Sequence, residues 1–267
     1  MPREITAFSN TTVKRLRSLR DKKARKEEGL FLAEGLRIIA EARDSGRLPE
    51  IIMFSPEGAR HPLASEIIAA TEAAGGDAVQ TTPDILSKTS GKDNPQMLVA
   101  AYKQPATDLS SIDRTRAPLW FVAQALRDPG NIGTILRTGD AVGAGGLILV
   151  DDSADPYSVE AARASMGAIF TQQVAKAPWS DFLAWLRSGE GQLVGTSLNT
   201  DQDYLSVTYL PPTFLLIGNE QQGLPQSYEE ACDVLVKIPM AGRADSLNAA
   251  IAAAVMAFQV TASWRAS

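Results

Sequence analysis

Apolar positions recur at helical spacing from the start of the chain. Behind Asn10, a residue suited to cap a helix, Val13, Leu16 and Leu19 fall on one face, while Lys14, Arg15, Arg17, Arg20, Lys22 and Lys23 cover much of the rest. Leu36, Ile39 and Ala40 mark a second helix ending near Gly46. Short apolar runs at Ile51–Phe54, Ala78–Thr81 and Met97–Tyr102 read as strands, separated by helical stretches near Ala64–Ala74 and Pro83–Lys88. This alternation predicts a small α/β domain over residues 1–104. The polar stretch that follows, with Pro105, Asp108, Ser110, Ser111, Asp113 and Pro118, has no period and reads as a linker over 105–117.

Beyond it the alternation resumes. Strands are predicted at Leu119–Ala123, Leu147–Val150, Thr171–Ala175, Leu193–Thr196, Thr213–Ile217 and Val234–Ile238, most of them separated by helical segments, one of which starts at Asn131. The chain closes on a helix that places Ile251, Val255, Phe258 and Ala262 on one face. A mostly parallel sheet covered on both sides fits residues 118–267.

Composition narrows the chemistry. The 267 residues are 45% apolar and 21% charged, as expected of a globular protein with a substantial core. One cysteine, Cys232, excludes an intramolecular disulfide and a cysteine-rich metal site, and points to a reduced, cytoplasmic setting. Its plainest role is that of a small buried hydrophobe. The one histidine, His61, leaves no Cys/His zinc cluster and makes a Ser-His-Asp triad improbable. The longest apolar run, Ala249 to Phe258, is too short to span a membrane. Net charge is −5, unevenly spread: residues 1–30 hold nine Lys/Arg against four Asp/Glu, or +5, leaving −10 on the remainder. Lys14, Arg15, Arg17 and Arg20 therefore form either an electrostatic handle for phosphates on an acidic body or a solvated helix face.

Three stretches carry candidate chemistry. In Asn131-Ile-Gly133-Thr-Ile-Leu-Arg137, a strand ends, Pro129-Gly130 turns the chain, and Asn131 stands where it can cap the next helix. Arg137 follows within two turns, with a planar guanidinium that suits phosphate. In Gly218-Asn-Glu220-Gln-Gln-Gly223-Leu-Pro, a glycine at the end of an apolar strand lets a ligand approach the backbone. In Ile238-Pro-Met-Ala-Gly-Arg-Ala-Asp-Ser246-Leu-Asn248, a further strand end leads through a glycine-containing loop to an alanine-rich helix that Ser246 can cap. By contrast Gly143-Ala-Gly145-Gly146 ends a helix and precedes a strand, the reverse of a dinucleotide-binding loop, so a helix C-cap explains it better.

In this order the three stretches resemble the motifs of the SpoU/TrmH family, RNA 2′-O-ribose methyltransferases of the knotted SPOUT class. The resemblance is specific from about Pro118 to Phe258. Many members have glycine where this chain has Gln221, a departure expected to adjust the loop. Phe31-Leu-Ala-Glu34-Gly35 and Leu86-Ser87-Lys-Thr89, the latter followed by Pro95-Gln96, are similar to segments of the family's ribosomal-protein-like substrate-binding domains. The resemblance implies an N-terminal RNA-binding domain and a C-terminal sheet with a deep trefoil knot. It also implies a homodimer with the active site near the subunit interface. S-adenosylmethionine would be the methyl donor, held by Gly218, Ile238 and Leu247 with Thr196 and Met240. Arg137, Asn131, Glu220, Ser246 and Asn248 would serve the reaction, without a metal, on ribosomal or transfer RNA, ribosomal favoured. The competing reading is a catalytically silent RNA-binding protein that keeps the fold.

Overall fold

The computed structural model describes residues 2–94, 96–219, 221–243 and 245–265, and the chain divides into two compact units. The first, Met1–Pro105 with Asp155–Thr171, opens with β1 (Arg3–Ile5), α1 (Thr11–Ser18), α2 (Lys22–Glu28) and β2 (Leu30–Glu34). It continues through α3 (Leu36–Asp44), β3 (Ile51–Phe54), α4 (Pro56–Arg60), α5 (Pro62–Ala73), β4 (Asp77–Thr81), α6 (Pro83–Ser90) and β5 (Leu98–Lys103). The strands lie in the order β1-β4-β3-β5-β2; β1, β4 and β3 run parallel, while β5 is antiparallel to both β3 and β2. Asn10 caps α1 as its type predicts, its side chain accepting from Thr12 N at 2.9 Å. Val13, Leu16 and Leu19 are buried, together with Leu32, Met53 and Val99.

The second unit carries β6 (Leu119–Gln124), α7 (Pro129–Val142) and β7 (Gly146–Val150). The chain then returns to the first unit with α8 (Val159–Ala164), a segment the sequence places in the C-terminal body. Val159 joins the first unit's core, and the rings of Tyr157 and Phe170 pack against Phe31 at 5.1 and 5.7 Å. Asp155 Oδ2 accepts from Arg25 Nη2 at 2.7 Å and Nε at 3.0 Å, a pair whose side chains are 10% and 3% exposed. Removing one member of a buried pair strands the other charge. Asp155→Ala should therefore destabilise the first unit by about 3 to 5 kcal/mol, read as a fall in its urea midpoint; a change below about 1 kcal/mol would show that Arg25 is satisfied by the Leu19 and Arg20 carbonyls alone.

The remaining elements of the second unit are β8 (Gln173–Ala177), α9 (Trp179–Arg187), β9 (Gln192–Thr196), β10 (Thr213–Ile217), α10 (Gln226–Glu229), β11 (Val234–Val236) and α11 (Ala249–Arg265). Its strands lie in the order β11-β9-β10-β6-β7-β8, every neighbouring pair parallel, so all their carboxyl ends share one edge. The mostly parallel sheet read from the sequence is present. The stretch read as a linker is instead packed into this unit. Thr107 O accepts from Lys176 N, Ile112 is buried, and the Arg114 guanidinium donates to the carbonyls of Trp185 and Leu186 in the last turn of α9 and of Glu190 beyond it. Gly143, left-handed at φ 74°, ends α7 as expected of a cap, while a side chain at Gly145 or Gly146 would strike the Trp120 ring or the Gln173 backbone. Close packing therefore accounts for that glycine run. Among the described residues no helix is long and apolar enough to cross a membrane.

Candidate active site

Parallel sheets place ligands beyond their carboxyl ends, where successive loops diverge. Here the loops after β9, β10 and β11 enclose a cavity of about 360 Å³, within the range of small-molecule sites. Thr196, Gly218, Ile238, Met240 and Leu247, the residues expected to hold the cofactor, all line it, as does Ser246. Glu220, assigned to the reaction by resemblance, lies outside the described residues.

The loop after β10 is fixed by a residue the sequence reading passed over. Asn219 donates from Nδ2 to Ala125 O at 2.8 Å, tying the ends of β10 and β6 together. Its Oδ1 accepts from Gln221 N and Gln222 N, and its carbonyl from Gly223 N at 2.9 Å. Ala125 takes φ 49°, a conformation unfavourable for a residue with a Cβ, so this bond holds a strained turn at the sheet edge. The available signal was an asparagine directly after a strand-ending glycine, a residue type that turns the backbone onto its own side chain.

Both helix starts at this edge depart from the capping roles expected. Asp128, not Asn131, caps α7, accepting from Gly130 N at 2.7 Å. Asn131 is buried within the first turn of the helix, where its Oδ1 accepts from Asn248 Nδ2 at 3.0 Å. Asn248, not Ser246, caps α11: its Oδ1 accepts from Ala250 N at 2.9 Å and Ile251 N at 3.3 Å. The choice follows from reach. A cap bonds the amides two and three positions on, and for a helix starting at Ala249 only residue 248 fits. Ser246 is left exposed on the cavity wall, its hydroxyl beside Asp245 at 3.5 Å. The first and third motifs thus meet through an asparagine pair that sets one helix start against the other.

Arg137 is not drawn into this network. It is exposed on α7, and among the described residues it makes no hydrogen bond or ion pair. The opposite wall supplies polar groups that the sequence did not single out. Glu229 accepts from the Ser197 hydroxyl and from Asn199 Nδ2, at 3.2 Å to each oxygen, and all three residues line the cavity. Among the described lining residues, Glu229 and Asp245 are carboxylates and none is Lys or Arg. A wall of that sign favours a cationic ligand and disfavours a polyphosphate. Cys232 packs behind β9, where a Cβ on Gly195 would lie 2.6 Å from its sulfur. Burial, followed by the Asp233 and Glu229 carboxylates, pushes its thiol up to about 12. It stays protonated at neutral pH and is no nucleophile.

A strand-end glycine, paired helix starts and an anionic cavity at the carboxyl edge of a parallel sheet define a small-molecule-binding α/β protein. Known proteins make this more specific. Residues 118–258 match the SpoU rRNA Methylase family, and residues 10–100 match the MRM3-like substrate binding domain. The chain belongs to the SpoU rRNA Methylase family. A 23S rRNA (uridine(2479)-2′-O)-methyltransferase of Streptomyces viridochromogenes is 32% identical over 248 residues, spanning 90% of this chain and 85% of its own. The Bacillus subtilis 23S rRNA (guanosine(2553)-2′-O)-methyltransferase is 27% identical, with 97% and 99% covered. The AdoMet-bound rRNA methyltransferase of Sinorhizobium meliloti superposes with a TM-score of 0.90 at 38% identity, over 98% of each chain.

Proposed function

We propose that this protein transfers a methyl group from S-adenosylmethionine to a ribose 2′-hydroxyl of ribosomal RNA. The observation that carries the reading is the convergence of Thr196, Gly218, Ile238, Met240 and Leu247 on one cavity. Two carboxylates in its wall suit a donor that bears a sulfonium and an ammonium, and the close fit of Gly218 against the loop at 223–224 is the kind of cradle a cofactor's flat parts require. When bound, the donor supplies an already activated methyl group. The protein's tasks are then alignment of the hydroxyl and acceptance of its proton.

In this reading Arg137 positions a substrate phosphate and stabilises developing charge, since a guanidinium stays protonated and is a poor base. Asn131 and Asn248 fix the helix starts beside the donor, while Ser246 and Glu220 contact ribose or cofactor. The first unit captures RNA, and Lys14, Arg15, Arg17 and Arg20 are all exposed for that purpose. The α11 face read from the sequence as a single apolar stripe points outward, with Ile251 and Phe258 51% and 49% exposed. Such a stripe on a helix that packs against α7 supports a homodimer, with Arg137 serving the neighbouring subunit's cavity. A trefoil knot in the second unit and a cytoplasmic setting complete the proposal.

The test is direct. Sites of 2′-O-methylation are mapped in total RNA from cells with and without this protein, and calorimetry measures S-adenosylmethionine binding. One ribosomal position should lose its methyl group in the deletion strain and regain it when the purified protein and donor are added. Cofactor binding without any altered rRNA site would refute the substrate assignment. Absence of cofactor binding would favour a silent RNA-binding protein.

A further inference from the structure

Two segments singled out in the sequence, Phe31–Gly35 and Leu86–Thr89, meet in the first unit around one buried carboxylate. Glu34 ends β2 with its side chain 5% exposed. Its Oε1 accepts from Arg163 of α8, Nε at 2.8 Å and Nη2 at 2.6 Å, and lies 3.2 Å from Lys92 Nζ. Lys92 is itself held by the end of α6. The Ser87 hydroxyl donates to Lys92 O at 2.6 Å, and Lys92 N donates to Ser87 O at 3.2 Å. Gly35, left-handed at φ 92°, would bring a Cβ to 3.5 Å from the Gln96 side chain, so the exit of β2 fits closely against the loop that carries Lys92. One residue before Lys92, the Arg20 guanidinium lies over Gly91, its Cζ 2.5 Å from where a Cβ would stand.

The electrostatics of this cluster are unbalanced. One carboxylate meets two cations, and both use the same oxygen while Oε2 is buried without a hydrogen-bond partner. Glu34 can offset only one of the two positive charges. An ammonium has three donors and a guanidinium five, of which Glu34 takes one and two. Lys92 and Arg163 remain 37% and 32% exposed, so their spare donors reach solvent. Two like charges gathered on one oxygen repel each other, and a second anion between them relieves that repulsion. Glu34 also holds two long side chains in place before any ligand arrives, which lowers the entropic cost of binding.

We propose that Lys92 and Arg163, aligned by Glu34, form a clamp for an RNA backbone phosphate, with Arg20 flanking it. The clamp rests on the RNA-substrate reading above. It differs in kind from the charges of α1: those attract RNA at long range, whereas the clamp fixes where one phosphate sits.

The experiment uses the full chain carrying Lys92→Gln and Arg163→Gln together. Binding of a labelled RNA hairpin and of large-subunit ribosomal RNA is followed across a salt series. Loss of the one clamped phosphate should flatten the slope of log affinity against log salt by about 0.7 to 0.9, and weaken affinity at moderate salt by about tenfold or more. Lys92→Arg with Arg163→Lys keeps both charges and should restore the slope. S-adenosylmethionine affinity should not change. A folded double variant with wild-type slope and affinity would overturn the clamp, leaving Glu34, Lys92 and Arg163 as a structural ion cluster that shifts only the melting temperature. Should the double variant fail to fold, Lys92→Gln alone, at a more exposed position, should flatten the slope in the same direction by part of that amount; an unchanged slope there overturns the clamp equally. Failure of the wild-type chain to bind either RNA is a different result, and it removes the functional reading itself.

Discussion

Arg137→Ala should lower single-turnover methyl transfer by about 10²- to 10³-fold, the scale of a lost preorganised charge contact at a reacting centre. S-adenosylmethionine affinity should stay within about threefold, because Arg137 does not line the cavity. The side chain is exposed and has no internal partner among the described residues, so its removal should change stability by no more than about 0.5 kcal/mol. Lysine should rescue poorly, since it keeps the charge but lacks the planar fork. A second measurement decides which subunit the arginine serves. Arg137→Ala chains are mixed with Gly218→Val chains at an S-adenosylmethionine concentration too low to fill the Gly218→Val cavity, so that each is strongly impaired alone. If Arg137 acts across a dimer, the mixture recovers activity, because a hybrid pairs an intact cavity with an intact arginine from the other chain. If it acts within its own chain, no site contains both and the mixture stays impaired. Wild-type turnover by Arg137→Ala alone would end the assignment.

The parts of this protein legible in its sequence are those where local pattern and packing agree. Val13, Leu16 and Leu19 form the only apolar stripe α1 offers, and they are buried. The strand-end glycine and the two loop motifs foretold the cavity because each marks where a parallel strand releases its chain at the sheet edge. Pattern failed where burial is two-sided or where distance in the chain is large. β2 is buried at every position, Leu30 to Glu34, so it shows no alternation that separates a strand from a piece of helix. The partnership of Asp155–Thr171 with the first unit joins residues 130 apart in the chain, as in Arg25 and Asp155, and no local rule reports it. α11 misleads in a different way. Two of its large apolar residues, Ile251 and Phe258, mark a face that periodicity assigns to a core. The face that packs on α7 and β10 is instead the one carrying Ala250, Ala253, Met256, Ala257 and Val260, which are all buried, and Ile251 and Phe258 face outward. The capping residues failed for want of one number: a helix start misplaced by two positions moves the cap from Asn248 to Ser246.

The sharpest test of the cavity is Gly218→Val, which should weaken S-adenosylmethionine binding by about 10- to 100-fold, the equivalent of 1 to 3 kcal/mol of overpacking. A Cβ at this position would stand 2.5 Å from the Gly223 carbonyl carbon, 2.7 Å from Leu224 N and 2.8 Å from Gly223 O. These are backbone atoms, and no side-chain rotation relieves the clash. The loop cannot simply retreat either, because Asn219 holds it to Ala125 O and bonds Gly223 N with its own carbonyl. The substitution must therefore displace the strip between Gly218 and Leu224 that walls the cavity. Alanine should already show part of the effect, since the first added carbon makes the contact. Gly223→Ala provides the contrast. A Cβ there meets nothing within 4 Å, but φ is +67°, so the change should cost about 1 to 2 kcal/mol of stability and much less affinity. β10 keeps its buried residues in every variant, so circular dichroism should report a folded chain. RNA binding should also persist, because the Lys92–Arg163 cluster and the basic face of α1 belong to the first unit. A folded Gly218→Val chain that binds S-adenosylmethionine as tightly as the wild type would place the cofactor elsewhere, and the roles assigned to Ile238 and Leu247 would fall with it.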